Sequence, residues 1–309
     1  MAIFCKNIIN VPLIKIETKK KYQEMQMEET NCILCGSARN QKKFNKPSRQ
    51  GDPFTLVRCR DCGLEYVNPR PDESEIGAYY GSSYFSSRTD RGYDNYFSDE
   101  VRKEVERVYG LNLRDLKFYE FEKGLGEMRR SLDVGCAAGY FVSMMQNRAW
   151  DAAGIDVSGP CIEAAEAAGL SVVEGSYLEQ SYDQPFDLIT LWATIEHLHH
   201  PELFLRKMHS DLTDDGLLIL STCRVGGINF QRLKGAAWRF YNFPEHLCFF
   251  SKKNIFRLLK QEGFEVTAYH TYGSGIGSAG SYRKRAADFL AGKFRLGDMM
   301  IISARKMLS

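Results

Sequence analysis

From residue 131 onward the chain alternates short apolar runs with helix-like stretches, and this alternation limits the fold more than any other feature. Residues 131–135, 152–156, 170–174, 186–192, 216–222, 264–272 and 298–304 read as strands. Residues 140–147, 160–168, 201–212 and 251–263 read as helices between them. Strands alternating with helices in this way give a doubly wound sheet covered on both faces. The expectation is an α/β, Rossmann-like, mostly parallel sheet of seven strands. Ligands of such sheets sit outside the carboxyl ends of the strands.

The first strand runs into Gly135-Cys-Ala-Ala-Gly139. Glycine at 135 and 139 lets the backbone come close to a ligand. Asp156 ends the second strand, where an acid can accept both hydroxyls of a ribose. The turn lacks the G-x-G-x-x-G spacing of dinucleotide-binding folds, which disfavours an NAD-linked oxidoreductase. No lysine follows it, which excludes a triphosphate-binding loop.

The amino-terminal part carries a second signal. Cys32-Ile-Leu-Cys35-Gly36 and Cys59-Arg-Asp-Cys62-Gly63 are paired C-x-x-C-G units. Each puts two thiolates on one tight turn, and together they supply the four soft ligands of a tetrahedral zinc site. The glycines permit the positive φ with which such knuckles turn back, aiming backbone N–H groups at sulfur. Four thiolates leave no open position, so the expected site (Cys32, Cys35, Cys59, Cys62) is structural. The bland alternative is four buried free cysteines. The division expected along the chain is a poorly ordered extension over 1–30, in which a start at Met25 or Met27 is conceivable, and a zinc-ribbon-like module over 31–70. An aromatic-rich helical bridge or lid follows over 71–130, then a cofactor-binding domain over 131–309. In the bridge, Asp72 to Glu75 offer cap and first-turn acids for a helix, and residues 99–122 read as helix. Tyr79, Tyr80, Tyr84, Phe85, Tyr93, Tyr96 and Phe97 suit either stacking on a planar or cationic ligand or ordinary packing.

The motifs of the carboxyl-terminal part resemble those of class I S-adenosylmethionine-dependent methyltransferases. Leu132-Asp-Val-Gly-Cys-Ala-Ala-Gly139 resembles the first motif and Gly154-Ile-Asp-Val-Ser158 the second. Residues 186–198 resemble the motif after strand four, and 212–222 that of strand five. With Asn68-Pro-Arg-Pro71 and the cysteine pairs, the chain resembles the subgroup bearing an N-terminal zinc-binding module, which includes sugar and natural-product C-methyltransferases. The resemblance implies S-adenosylmethionine as cofactor and structural Zn2+. It implies that Asp133 orders the first loop, with Gly135, Ala137 and Gly139 against the methionine end. It places Asp156 on the ribose, Val157 against adenine, Ser176 and Tyr177 at the adenine edge, and Trp192 in the motif after strand four. Ala137 stands where the family carries glycine, a change tolerable if that backbone has ordinary φ. Ser176 replaces the usual acid near the adenine amino group, so recognition there uses Ser176 and the Tyr177 backbone or shifts to Glu174. The chain also looks short of the extra C-terminal domain of the sugar C-methyltransferases.

The acceptor should approach the ends of strands four and five. Glu196-His197 follows strand four, and Glu245-His246 lies in the loop after strand five. His246 and His197 are the candidate bases or acceptor-orienting groups, with Glu196 and Glu245 as partners. Each histidine also reads as a hydrogen-bonded structural residue at a helix start. His199 and His200 are expected to face solvent, and Cys136, Cys161, Cys223 and Cys248 to be packing residues. The 225–242 loop, with Arg232, Lys234, Trp238, Arg239 and Tyr241, is expected to cover the acceptor.

A formal charge of +2 gives no case for nucleic-acid binding, although residues 1–70 hold 13 Lys/Arg against 7 Asp/Glu. No apolar run is long enough to span a bilayer. Nine cysteines, four of them in the zinc pattern and five without pairing pattern, suit a reducing, cytoplasmic setting. The leading expectation is a methyltransferase acting on a small molecule, with a sugar nucleotide or glycan precursor among the acceptors. The alternatives are an RNA or protein methyltransferase using the zinc module as reader, and a non-catalytic S-adenosylmethionine-binding module.

Overall fold

The computed structural model describes residues 25–79, 95–226, 230–273, 286, 289–291, 293–294 and 296–307. The amino-terminal part is built from β1 (Met27–Glu28), β2 (Asn40–Pro47), β3 (Pro53–Cys59), β4 (Glu65–Val67) and β5 (Arg70–Pro71). Met27 and Glu28, expected in the extension, instead pair with Arg70 and Pro71. Asp72 does not open a long helix among the described residues. Its carboxylate accepts from the Ser74 N–H and Oγ, and a single 3-10 turn, Ile76–Tyr79, follows. Most of the aromatic stretch, residues 80–94, lies outside the described residues.

The expected 99–122 helix is two helices, α1 (Asp99–Asp115) and α2 (Phe118–Lys123). Ser98 caps α1 by accepting from the Val101 N–H, with Asp99 and Glu100 in the first turn, where acids suit the helix dipole. Lys117 breaks the pair with φ of 59°. Then come β6 (Arg130–Val134), α3 (Tyr140–Gln146), β7 (Asp151–Asp156), α4 (Gly159–Ala167), β8 (Val172–Glu174) and β9 (Phe186–Trp192). The chain continues through α5 (Pro201–Asp211), β10 (Leu212–Cys223), α6 (Phe230–Lys234), β11 (Cys248–Phe249), α7 (Lys252–Gln261), β12 (Phe264–Tyr272) and β13 (Met299–Lys306).

Seven of these strands form one sheet in the order β12-β13-β10-β9-β6-β7-β8. The pairs β10–β9, β9–β6, β6–β7 and β7–β8 are parallel. β13 runs antiparallel to both neighbours. This is the expected Rossmann-like sheet. Side chains alternate between its faces, so two cores form. Leu132, Leu191, Leu218, Leu220 and Ile302 pack on one side with Leu205, Met208, Leu258 and Leu259 from α5 and α7. Leu188, Ile219 and Ile301 pack on the other with Leu113, Phe118, Phe141 and Met145 from α1 to α3.

The amino-terminal strands do not hang free. Cys32, Leu34, Val57, Cys59, Leu64 and Tyr66 belong to the first of these cores. Their own four-stranded sheet, β11-β4-β3-β2, takes its outermost strand from the loop after β10. Arg70, 2 % exposed, donates to Glu28 Oε1 at 2.6 Å and to the His199 carbonyl at 3.0 Å. The His199 ring bonds the Pro71 carbonyl through Nε2. This corrects the expectation that His199 faces solvent. Its polarity is met by backbone carbonyl from across the fold, whereas His200 is exposed.

Candidate functional site

The turn after β6 has the shape that its glycines require. Gly135, Ala137 and Gly139 have φ of 76°, 46° and 71°. A Cβ at Gly135 would lie 2.5 Å from Thr194 Oγ1, and one at Gly139 2.7 Å from Leu170 Cδ1. Both positions are strained for a side chain by φ, and Gly135 is also blocked by Thr194, whereas Leu170 could move aside at Gly139. Ala137 does not meet the condition of ordinary φ, since it occupies the left-handed region, in which an L residue is strained by about 1–2 kcal/mol. Ala137→Gly is expected to stabilise the protein by about 0.5–1 kcal/mol, after subtracting glycine's greater loss of chain entropy. In thermal melts that is a rise of about 2 °C, and a fall in melting temperature would refute the strain account.

Asp156, at the carboxyl end of β7, closes the turn. Its Oδ2 accepts from the Ala137 N–H at 2.8 Å and its Oδ1 from the Ser158 N–H at 2.9 Å. A carboxylate offers about four lone-pair sites, so these two N–H groups do not by themselves exhaust its capacity to accept. Val157 follows with 74 % exposure, an apolar surface available to a planar ring. Asp133 lies beneath the turn, buried, and accepts from Thr190 Oγ1 at 2.6 Å. Burial, with the Asp156 charge nearby, raises its carboxyl to about 7 against the Thr190 bond. Ser176 is half-buried. The Tyr177 side chain points into the core, its hydroxyl donating to Asp211 Oδ2 at 2.6 Å, which leaves its backbone for any adenine contact. Glu174 lies over the start of α4, its carboxylate 3.3 Å from where a Gly159 Cβ would stand. The Trp192 ring packs on Tyr109 and Phe141 at 4.4 and 5.2 Å. Its buried Nε1 has no hydrogen-bond partner among the described residues. Left-handed turn, acid, exposed valine and orphaned indole donor together fit a nucleoside cofactor at this end of the sheet.

A depression of about 490 Å³ lined by Tyr182, Asp211, Asp214 and Lys306 sits at the amino ends of β9 and β10. Ligands of open α/β sheets bind at the opposite end, outside the carboxyl ends of the strands.

The acceptor-side residues converge. Glu196 and His197 lie on a 3-10 turn after β9, and the Glu196 carbonyl accepts from the Leu247 N–H at 2.8 Å. That bond brings the 243–249 loop over the turn. The His197 and His246 rings meet edge to face with centroids 4.6 Å apart. Ligand-type atoms of Glu196, Cys223 and His246 lie within 4.8 Å of one another. All three side chains are buried, as is that of Glu245, which stands outside this group. Cys223, read from sequence as packing, is thus a neighbour of both candidate groups. Burial and the Glu196 charge keep its thiol protonated, well above the ordinary value.

The 225–242 loop departs from expectation. Trp238 and Tyr241 are fully buried and do not present faces to an acceptor. Trp238 Nε1 donates to Asp298 Oδ2 at 3.0 Å, and the Tyr241 hydroxyl to Glu65 Oε2 at 2.6 Å. The Arg239 guanidinium lies over Phe240 at 4.5 Å. The Arg232 side chain lies outside the described residues. Of the bridge aromatics, Tyr79 bonds Asp52 and Tyr96 stacks on Tyr140 at 5.1 Å, so both serve packing.

The four head cysteines come together, with Cys32–Cys62 and Cys35–Cys59 sulfurs 3.4 and 3.6 Å apart. With metal–sulfur bonds of about 2.3 Å, a tetrahedral site spaces its sulfurs by about 3.8 Å. Gly36 and Gly63 have φ of 70° and 77°. Burial opposes ionisation of Cys59, but the Cys62 and Asp61 N–H groups aimed at its sulfur bring the thiol down to about 7. Burial pushes Cys62 up to about 11 and Cys32 further, a penalty that a divalent ion would remove. The donor set fits zinc. Among the described residues none of the eight cysteines is in a disulfide.

Comparison with known proteins agrees with this geometry. A family profile described as "Methyltransferase domain" matches residues 96–269, more than half of the chain. The chain belongs to that family. An uncharacterized methyltransferase of Staphylococcus carnosus is 30% identical over 120 residues, 38% of this chain and 56% of that protein. A ubiquinone biosynthesis O-methyltransferase of Glaesserella parasuis is 24% identical over 162 residues, 46% of this chain and 69% of that protein. The match thus spans little more than half of the first relative's length and about two thirds of the second's. A solved S-adenosylmethionine-dependent methyltransferase of Archaeoglobus fulgidus is similar with a TM-score of 0.49 and 19% identity, over 66% of this chain and 94% of that one. No helix among the described residues is long and apolar enough to cross a membrane.

Proposed function

We propose that this methyltransferase acts on a small molecule, a sugar or polysaccharide-pathway intermediate, with the acceptor held between the 3-10 turn after β9 and the loop before β11. The convergence of Glu196, His197 and His246 there carries the reading. S-adenosylmethionine supplies an activated methyl group when bound, so the protein's tasks are positioning and proton removal. Asp156 binds the ribose hydroxyls, Val157 underlies the adenine, and the Gly135–Gly139 turn approaches the methionine end. Ser176 and the Tyr177 backbone meet the adenine edge. His246 takes the proton that the acceptor loses, Glu196 steadies the imidazolium so formed, and His197 orients the His246 ring. The four cysteines hold zinc in a structural role. The head's share in the core of the catalytic domain favours a structural part over a freely moving reader of RNA or protein.

The test is methyl transfer from labelled S-adenosylmethionine to a panel of nucleotide sugars and glycan precursors, with product identified by mass spectrometry. Turnover on a member of this panel is expected, and His246→Gln should lower it by about 100-fold or more while cofactor affinity stays within about twofold. Undiminished turnover in H246Q would remove His246 from the reaction, and transfer to RNA or protein alone would favour the reader.

A further inference from the structure

His246 sits in a short span that is fastened at both ends to one strand of the amino-terminal head. On its carboxyl side, β11 pairs antiparallel with β4, Cys248 opposite Tyr66 and Phe249 opposite Glu65. The Val67 N–H also donates to the Leu247 carbonyl at 2.9 Å. On its amino side the fastening is a side chain. Tyr241, fully buried, donates its hydroxyl to Glu65 Oε2 at 2.6 Å. Glu65 is itself 6 % exposed, and Lys43 Nζ donates to its Oε1 at 2.5 Å. Gln231 Nε2 donates to the Tyr241 hydroxyl at 2.7 Å, bringing α6 into the same network. Between the two fastenings, the His246 N–H donates to the Asn242 carbonyl at 2.9 Å. The ring packs among Phe240 and Phe249, at 6.5 and 6.2 Å, and against His197.

We infer that Glu65 is a positioning residue for His246: through Tyr241 it fixes the amino-side end of the catalytic loop to the strand that pairs with the other end. A buried carboxylate is costly unless its oxygens are met. Glu65 is met by one group from the head and one from the loop, so loop and head are held in a single arrangement. Apolar packing alone would tolerate sliding of the loop, whereas a short charge-assisted bond fixes distance and direction. The inference depends on His246 being the acceptor-side group, but its measurement needs neither acceptor nor turnover.

The experiment compares ring-nitrogen NMR signals of ¹⁵N-histidine-labelled full-length protein in wild type, Tyr241→Phe and Glu65→Gln. The chain has six histidines, and the signal lost in H246Q assigns His246. In Y241F the His246 signal, and with it that of His197, is expected to shift by more than its line width or to broaden. His209 and His270, on other elements, should stay in place, and affinity for S-adenosylmethionine should remain within about twofold. Glu65→Gln, which keeps an acceptor for Tyr241 but loses the charge facing Lys43, should shift His246 in the same direction by less. An unmoved His246 signal in Y241F overturns the inference, even if the melting temperature falls. Should Y241F fail to fold, E65Q decides by the same criterion. If His246 moves and no acceptor is ever methylated, the positioning stands and the catalytic reading alone fails.

Discussion

Cys59→Ser is expected to disrupt the whole molecule, not the head alone. The proposed zinc site is the source of the effect, and the sharing of one core sets its reach. Structural zinc contributes on the order of 10–16 kcal/mol of apparent binding energy in small thiolate sites. The net stability of a protein is only about 5–15 kcal/mol. Cys32 and Cys59 lie in the same core as Leu132, Leu191 and Leu218 of the central sheet. Asn254, in the first turn of α7, donates to the Cys62 carbonyl at 2.9 Å. Losing the metal therefore loosens the support of α7 and of β11 together. The expected result is about one zinc per chain in the wild type by elemental analysis. C59S should have none, and either be insoluble or melt more than about 10 °C lower, with loss of near-ultraviolet dichroism from the catalytic domain. A metal-free C59S with unchanged melting would show that the four thiols are only buried neighbours.

The contrast between what was legible in the sequence and what was not follows from the range of the interactions. The seven strands were legible because apolar periodicity is local, and so was the cysteine quartet, because each C-x-x-C-G unit carries its own turn. The convergence of His197 and His246 was anticipated only as a shared mouth. The bond between the Leu247 N–H and the Glu196 carbonyl that joins them depends on tertiary contact. Tyr241 and Glu65 are 176 residues apart, and β11 has two residues, too few for any periodicity. The burial of Trp238, Tyr241 and His199 is not legible in the sequence for a common reason. An aromatic or histidine in a polar loop looks available until a distant carboxylate or carbonyl is found to satisfy its polar atom. The left-handed φ of Ala137 is not legible from the residue itself, because the bond to Asp156 and the neighbouring glycines set the turn.

Asp156→Ala is expected to weaken S-adenosylmethionine binding by about 100-fold or more. Each hydrogen bond to a charged group contributes about 1.5–3 kcal/mol, and each 1.4 kcal/mol is tenfold in affinity. Two ribose hydroxyls on one carboxylate therefore set a loss of at least two decades. A second, smaller effect has a different origin. Removing the carboxylate also strips the Ala137 and Ser158 N–H groups of their acceptor, so the free variant should melt lower than wild type. Asp156→Asn separates the two contributions. Its amide oxygen can still accept one backbone N–H, so it should recover much of the melting temperature, but without charge it should recover little affinity. Calorimetry with S-adenosylhomocysteine gives the control on the cofactor side. That product keeps the ribose and lacks the sulfonium charge, so D156A should lose the same factor for both ligands. A loss confined to the charged ligand would mean that Asp156 acts as a counter-ion to sulfur, and equal affinity of D156A and wild type would move the cofactor away from the end of β7.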